Sequence, residues 1–199
     1  ERAHDEIWRR CINKEHGLLF NYTGLQGEVF IPAREECEAG KPNALGWCTP
    51  IEDGAFYGGF YLDGLCSRWK ASGTPEAARS AEIIAGGLLK LGRASKNYGF
   101  IPRGFGEDGK THYGCSSEDQ VFPWFYGLWR YLKSGIPDRE KINEITGVME
   151  KTALGLETHH WRVPSARAGY GYRGNFARSR VEDITKLLFI LRAMYDLTG

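Results

Sequence analysis

The chain has 199 residues, enough for one domain with a sizeable core, and its formal net charge is +1. The balance of 26 Lys and Arg against 25 Asp and Glu argues against a dedicated nucleic-acid binder. No apolar run approaches the roughly 20 residues that span a bilayer, so no membrane partner is expected. The five Cys predict free thiols, with at most a bridge between Cys37 and Cys48. They leave the redox compartment open, and a periplasmic or extracellular location is slightly favoured over a cytoplasmic one.

Residues 1–48 are predicted to form an opening helix and a long loop. The helix covers about residues 4–15, and the loop covers about residues 17–50, which are rich in Gly and Pro. Short strands are expected at about residues 28–31. A connection this long is usually functional or disordered, and its aromatic side chains favour an ordered, functional loop.

Residues 49–199 contain a repeat that begins each time with the acidic pair Glu-Asp. These pairs are Glu52-Asp53, Glu118-Asp119 and Glu182-Asp183. Successive Asp residues of the pairs are 66 and 64 positions apart, and each pair opens an apolar run that ends at Gly. A Ser-Gly-x-Pro turn and an amphipathic segment follow the first two runs, so the repeat predicts helical hairpins with enclosed inner helices and outer return helices. The expected helices cover about residues 53–72, 75–91, 119–134, 138–157 and 181–197.

The Glu of each pair has a structural explanation. Two of them match the capping box at a helix N-terminus, Thr49 with Glu52 and Ser179 with Glu182. The middle helix offers two caps, Ser117 with Gln120 or Ser116 with Asp119. These Glu residues are therefore predicted to be caps rather than catalysts. The capping box does not need the Asp that follows, although the helix dipole alone could explain an Asp there.

The three Asp residues are expected at one end of the bundle, because inner helices of one polarity all begin there. Asp53 precedes Gly54 in a glycine-rich start that leaves room for a ligand, and a carboxylate at a helix N-terminus suits a base or nucleophile. Asp119 is followed by apolar residues such as Phe122 and Trp124, and a general acid stays protonated in such surroundings. The catalytic candidates are therefore Asp119, as general acid, and Asp53.

Two loops that reach the same end, residues 93–117 and 158–179, are rich in aromatic and basic residues. Acids ringed by aromatic platforms and cations are typical of a saccharide site, especially for sugars that carry a carboxylate. A solvated basic loop is the alternative. The candidate substrate-binding residues are Tyr57, Arg103, His112, Tyr113, Trp124, Trp161 and Arg173.

No metal site and no cofactor are predicted. His112 with Cys115, and the neighbours His159 and His160, supply too few well-spaced ligands for zinc. Asp63, midway along its helix, is either a buried polar partner or a ligand.

Two inner segments carry distinctive motifs, DGxFxxGFYLDGL at residues 53–65 and EDQxxPWFYGLW at residues 118–129. With these motifs the chain, from about residue 45 to 199, resembles part of the six-hairpin glycosidase superfamily. Within it the chain is most similar to the unsaturated glucuronyl and rhamnogalacturonyl hydrolases and their bacterial relatives. The resemblance implies an all-α fold, the (α/α)6 toroid, and Asp-driven attack by water on a uronyl residue left by polysaccharide lyases. By position, Asp53 and Asp119 match the inner-helix catalytic acids.

About three hairpins are present where that superfamily has six. The preferred interpretation is that the chain is part of a longer ring. Alternatively, the opening helix packs against the last inner helix and closes a small three-hairpin unit. The expected partners are an oligosaccharide and either the remaining half of the toroid or a second copy of the chain.

The sequence thus predicts a glycoside hydrolase of polysaccharide degradation that acts on acidic, uronate-bearing oligosaccharides. Two alternatives stay open. One is a polysaccharide lyase on the same fold, with Tyr or His as base and Arg neutralising the uronate. The other is a non-catalytic saccharide-binding or structural helical module.

Overall fold

A computed structural model describes residues 2–199, and helices form most of it. The helices and strands, with one 3-10 turn at Ala168–Tyr170, are α1 (Arg2–Arg10), β1 (Ile12–Asn13), β2 (Leu18–Leu19), α2 (Arg34–Ala39), α3 (Gly54–Ser72), α4 (Pro75–Gly92), α5 (Glu118–Leu132), α6 (Arg139–Thr158), β3 (Arg162–Val163), β4 (Gly174–Asn175) and α7 (Val181–Thr198). The strands pair as two short antiparallel ladders, β1 with β2 and β3 with β4. The all-α prediction is confirmed, and the helices of the repeat begin and end close to the predicted positions. None of the described helices is both long and apolar enough to cross a membrane.

The turns between inner and outer helices follow the Ser-Gly-x-Pro pattern. Gly73 ends α3 in the left-handed conformation, at φ 64°, where an L side chain would be strained. Thr74 then caps α4 by accepting the backbone N–H of Ala77, and Pro75 occupies the first helical position. Asp138 caps α6 by accepting the N–H of Lys141 at 2.7 Å. These local signals explain why the hairpins could be placed from sequence.

Helices α3 and α5 run side by side in the same direction. Near their starts, Gln120 of α5 hydrogen-bonds Asp53 at 2.6 Å. Further along both helices, Arg130 pairs with Asp63 at 2.5 Å. Because the early residues meet each other and the late residues meet each other, the two helices are parallel.

The backbones of α3 and α5 nearly touch in the middle of this pair. A methyl group on Gly59 would overlap the carbonyl oxygen of Pro123, and one on Gly127 would meet the backbone of Gly59. Only glycine permits so close an approach at these positions. The contact fixes the two helix starts relative to each other.

Helices α4 and α6 pack along one side of the inner pair. Trp124 of α5 is fully buried and donates its indole N–H to the carbonyl oxygen of Leu88 in α4, at 2.7 Å. Gly92 at the end of α4 makes room for the Trp124 ring and for Val148 of α6. The outer helices thus cover the apolar side of the inner ones, as their amphipathic patterns predict.

Helix α7 begins at the same end as α5 and runs along it. Arg178, just before α7, lies 3.8 Å from Glu118 at the start of α5, and the Phe189 ring further along α7 contacts Phe122 and Tyr126. The starts of α3, α5 and α7 therefore share one end, which we call the acidic end after Asp53, Asp119 and Asp183. One face of α7 is exposed and apolar, lined by Val181, Ile184, Leu188, Leu191 and Tyr195.

The opening helix is shorter than predicted. It ends at Arg10 rather than near residue 15, because the side-chain oxygen of Asn13 accepts the backbone N–H groups of Glu15 and His16. Such a local side-chain bond offers the backbone an alternative to the helix.

The prediction of short strands at residues 28–31 is also wrong. The strands near the N-terminus are β1 and β2 instead, and their buried residues Ile12, Leu18 and Leu19 join the same core as α3, α4 and α5. A two-residue strand is too short to show the alternation on which a prediction depends.

Helix α1 is held on α3 by His4. Its Nδ1 lies 2.8 Å from the Tyr61 hydroxyl, and its Nε2 lies 3.2 Å from Nη1 of Arg68. Since Arg68 can only donate, Nε2 must accept and the imidazole is neutral. Partial burial and the charge of Arg68 lower the pKa of His4, with Asp5 acting in the opposite direction.

Acid is therefore expected to loosen α1. The pKa of His4 in the folded chain lies below its unfolded value of about 6.5, so stability is fully present above that pH and falls as pH decreases toward the folded pKa. Burial lowers the pKa of His112 as well, so protonation of this residue also reduces stability as pH decreases. Urea unfolding between about pH 8 and about pH 5 measures this slope. In His4→Gln, whose amide can still donate and accept, the slope should be shallower, and an unchanged slope would contradict the role of His4.

Candidate functional site

Asp53, the residue before α3, is the centre of a hydrogen-bond network at the acidic end. Its Oδ1 accepts from Nε2 of Gln120 at 2.6 Å and from Nη1 of Arg103 at 2.8 Å. Its Oδ2 accepts from Nδ2 of Asn21 at 2.9 Å, and Asn21 in turn accepts the backbone N–H of Asp53 at 2.6 Å. Three separate segments thus fix one carboxylate, whose side chain is 21% exposed.

Arg103 joins the two catalytic candidates. Its side chain is 3% exposed, and its Nη1 also donates to the carbonyl oxygen of Glu52 at 2.9 Å. Its Nη2 donates to the Ser117 hydroxyl at 2.6 Å and lies 3.9 Å from Oδ1 of Asp119, to which Ser117 donates in turn. Asp53 and Asp119 therefore meet around one buried guanidinium, whose charge strengthens the hydrogen bonds that it makes. Arg103 is therefore a buried partner of the two acids, and it is not exposed to a ligand as a predicted substrate-binding residue would be.

The capping boxes predicted at Glu52 and Glu182 are wrong. The carboxylate of Glu52 accepts the backbone N–H of Cys48 at 2.8 Å and the hydroxyl of Tyr22 at 3.1 Å, because α3 begins later than the box requires. Glu182 pairs with Lys186 at 2.5 Å. Glu52 thus ties the N-terminal loop to the site, whereas Glu182 lies on the surface of α7.

The prediction that Asp119 lies in apolar surroundings is wrong as well. Its side chain is 47% exposed, and its neighbours are Ser117 and Arg103. Val121 and Trp124 turn into the core instead, because helix periodicity places them on the far side of α5. Ser117 does precede α5, as predicted, but its hydroxyl serves Asp119 rather than capping the helix.

Asp183 differs from the other two acids. It is 3% exposed, and its Oδ2 has no hydrogen-bond partner among residues 2–199. It takes no part in the network around Arg103. The structure therefore assembles two of the three repeated Asp residues into one site.

Two cation–aromatic pairs lie in the loops at the acidic end. The guanidinium of Arg173 lies 5.8 Å from the ring centre of Trp47, and that of Arg162 lies 4.4 Å from the ring centre of Tyr172. Trp47 and Tyr172 are each 45% exposed, so a ligand can reach both rings. None of the ion pairs of the described chain involves Arg173.

Two of the predicted substrate-binding residues are core side chains. Trp124 is fully buried, with its N–H bonded to Leu88. Tyr113 is 1% exposed and donates its hydroxyl to the carbonyl oxygen of Lys41 at 2.6 Å, and burial raises its pKa to about 12. An aromatic side chain is as well suited to packing as to ligand contact, and at both positions packing prevails.

The remaining predicted contacts are distributed around the acidic end. His112 packs against the Phe100 ring and bonds the carbonyl oxygen of Tyr113 at 2.9 Å. Tyr57 is 44% exposed on the first turn of α3. Trp161 is partly buried and holds a left-handed backbone, at φ 60°, just before β3. Of these, Tyr57 is the one most open to a ligand.

A cleft of about 490 Å³ opens beside the network, in the loop before α3. Its wall contains Tyr22 and Cys48, both hydrogen-bonded to Glu52, but neither Asp53 nor Asp119. The volume is that of a small-molecule site. The wall is largely apolar and includes Phe30, Ile31, Pro32, Pro42 and Tyr113.

The prediction of free thiols is confirmed, and Cys37 and Cys48 form no bridge. All five are free thiols, with Cys37 buried and Cys48 exposed. Burial raises the pKa of the Cys37 thiol to about 12. Within residues 2–199 no group of three or more His, Cys, Asp and Glu side chains is arranged to hold a metal ion.

Asn21, Gln120 and Trp47 are site residues that sequence reasoning missed. Asn21 is far from Asp53 along the chain, and no local pattern points to a contact between them. Gln120 directly precedes the apolar run of α5, and a polar side chain that is buried there must find a partner. Trp47 stood out only as one aromatic residue of a long loop.

Comparisons of this chain with protein-family models, with curated proteins and with solved structures find no match.

Proposed function

We propose that the chain is an α/α-toroid glycoside hydrolase, whole or in part, that acts on acidic oligosaccharides at the acidic end. One observation carries the proposal: carboxylates from the starts of two adjacent parallel helices meet around Arg103. Cleavage of a glycosidic bond generally uses two such groups, one to move a proton and one to activate water or attack the sugar. The motif resemblance to six-hairpin glycosidases supports the same interpretation.

The two acids suit different roles. Asp119 is the more exposed, and the hydrogen bond and ion pair that it makes both fall on Oδ1, so Oδ2 is available for proton transfer to or from a substrate. Asp53 has both oxygens occupied by donors and is the more rigid. A carboxylate held in this way is suited to stabilise positive charge that develops on the sugar. Arg103 is a positioning residue for both.

Arg173 and Trp47 account for the preference for uronates. The exposed indole offers a face on which a sugar ring can stack, and the neighbouring cation is available for a carboxylate. The lyase alternative would use the same cation to neutralise the uronate, so the binding residues alone do not separate the two reactions.

The direction of an ultraviolet absorbance change tests the reaction. Incubation with an unsaturated uronyl disaccharide should lower the absorbance, because hydrolysis leads to loss of the conjugated double bond. A rise with an intact polyuronide would instead identify a lyase. Arg173→Ala should raise KM for the uronyl substrate about tenfold, the usual scale for losing one charge-assisted contact.

Arg192→Ala is the matched control, because Arg192 is exposed on α7, where it pairs with Asp196 and lies 5.6 Å from the ring centre of Tyr195. Its KM should be unchanged. An absorbance that stays constant with both substrates, together with no saccharide binding by calorimetry, would contradict the proposal and favour a structural module.

A further inference from the structure

A line of aromatic side chains continues from the acids along the exposed face of α3 and α5. Helix periodicity places Tyr57 and Phe60 on the face of Asp53, and Tyr126 on the face of Asp119. Tyr57 and Phe60 are 44% and 43% exposed. The ring centres of Phe60 and Tyr126 lie 5.8 Å apart, so rings from both helices form one surface. We call Tyr57, Phe60 and Tyr126 the aromatic lane.

The far end of the aromatic lane is polar. Asp63 accepts from the hydroxyl of Tyr126 at 2.6 Å and from Nε of Arg130 at 2.5 Å. The side chains of Asp63 and Arg130 are 26% and 39% exposed. A guanidinium has five N–H groups, and within residues 2–199 Arg130 uses only Nε for a hydrogen bond. Donors and acceptors are thus open to a ligand at this end.

The aromatic lane is longer than one sugar ring. Arg130 comes eleven residues after Asp119 on the same helix. At 1.5 Å of rise per residue this places it about 16 Å from the acid along the helix axis. Several linked sugars fit between the two.

We infer that the aromatic lane binds the part of an oligosaccharide that extends beyond the reacting residue. The inference rests on the proposed function for its class of ligand. The exposed rings of Tyr57 and Phe60 stack against the apolar faces of sugars, and the partly buried ring of Tyr126 supports Phe60. Arg130 and Asp63 exchange hydrogen bonds with the sugar hydroxyl groups. Because the charges of Arg130 and Asp63 offset each other, the lane recognises ring faces and hydroxyls, whereas Arg173 recognises carboxylates at the acidic end.

Calorimetric titration of the full chain with galacturonate oligomers of two and of six residues tests whether the lane and Arg173 recognise different parts of the ligand. The longer oligomer should bind more tightly, and methyl esterification of the residues beyond the first should leave that gain in place. Phe60→Ala and Arg130→Gln should each weaken binding of the longer oligomer about tenfold and leave the shorter one unchanged. Arg79→Gln is the matched control for Arg130→Gln, because Arg79 is exposed on α4, which packs on the other side of α3 and α5. It should change neither affinity.

The inference would be overturned by equal affinity for the two oligomers, or by variants that weaken binding of both oligomers equally. It would also be overturned if esterification abolished the tighter binding of the longer oligomer. The two variants act on different parts of the aromatic lane, and thermal unfolding of each shows that the fold is kept. A gain with length but no absorbance change supports the lane and contradicts hydrolysis. Hydrolysis of the short substrate without any gain for the long one supports the proposed function and overturns the lane.

Discussion

Asp119→Asn is expected to lower turnover of a uronyl substrate by about two to four orders of magnitude while unfolding remains cooperative. The amide keeps the shape of the side chain and its contact with Ser117, but it cannot transfer a proton. The loss should appear in kcat, with a smaller change in KM, because the neighbouring binding groups are untouched. Steady-state kinetics and circular dichroism on the same preparation measure both effects.

Asp138→Asn is the matched control for this change. Asp138 also precedes a helix, where it caps α6 through the N–H of Lys141, and Asn caps a helix about as well as Asp. Turnover should be unchanged in this variant. Full activity in Asp119→Asn, or equal losses in both variants, would exclude Asp119 as the proton-transfer group.

Gly59→Ala should destabilise the chain by about 2 kcal/mol or more, because the added methyl group has no space between α3 and α5. Its neighbour is the backbone carbonyl of Pro123, which cannot rotate away as a side chain can. The helices must separate, and the packing of Trp124 and Phe125 behind them is disturbed. Chemical denaturation monitored by tryptophan fluorescence gives the free energy of unfolding.

Gly64→Ala tests whether this effect belongs to the helix contact. Gly64 lies on the same helix, but a methyl group there meets nothing within 4 Å. Alanine should stabilise the chain by about 0.5–1 kcal/mol, since glycine loses more conformational freedom on folding. If the two variants were equally stable, close packing at Gly59 would not be what holds α3 to α5.

Much of the helical architecture could be predicted because its signals are local. The turn residues at Gly73 and Pro75, and the amphipathic pattern of α4, fix where helices begin and end without knowledge of distant residues. The repeated Glu-Asp pairs also predicted correctly that α3, α5 and α7 begin at one end. Periodicity says which face of a helix is apolar, and this was enough to separate inner helices from outer ones.

The site was predicted only in part, because its contacts are not local. Asp53 and Asp119 were identified as a pair, but the partners that join them come from distant segments, and nothing in the sequence around Asn21 points to its contact with Asp53. The apolar residues after Asp119 suggested a buried acid, yet helix geometry turns Val121 and Trp124 to the opposite side of α5. Tyr113 likewise belongs to a loop whose composition cannot distinguish a packed ring from a ligand platform.

The close contact of Gly59 with Pro123 has a consequence for motion at the acidic end. The two carboxylates are carried by helices whose backbones touch, so the distance between the two helix starts cannot change unless the core itself opens. Backbone amides around this contact should exchange with solvent only through global unfolding, whereas the loop of residues 21–50 can open at much lower free energy. The spacing of the helix starts that carry the two acids is therefore set by the slowest fluctuation in the molecule.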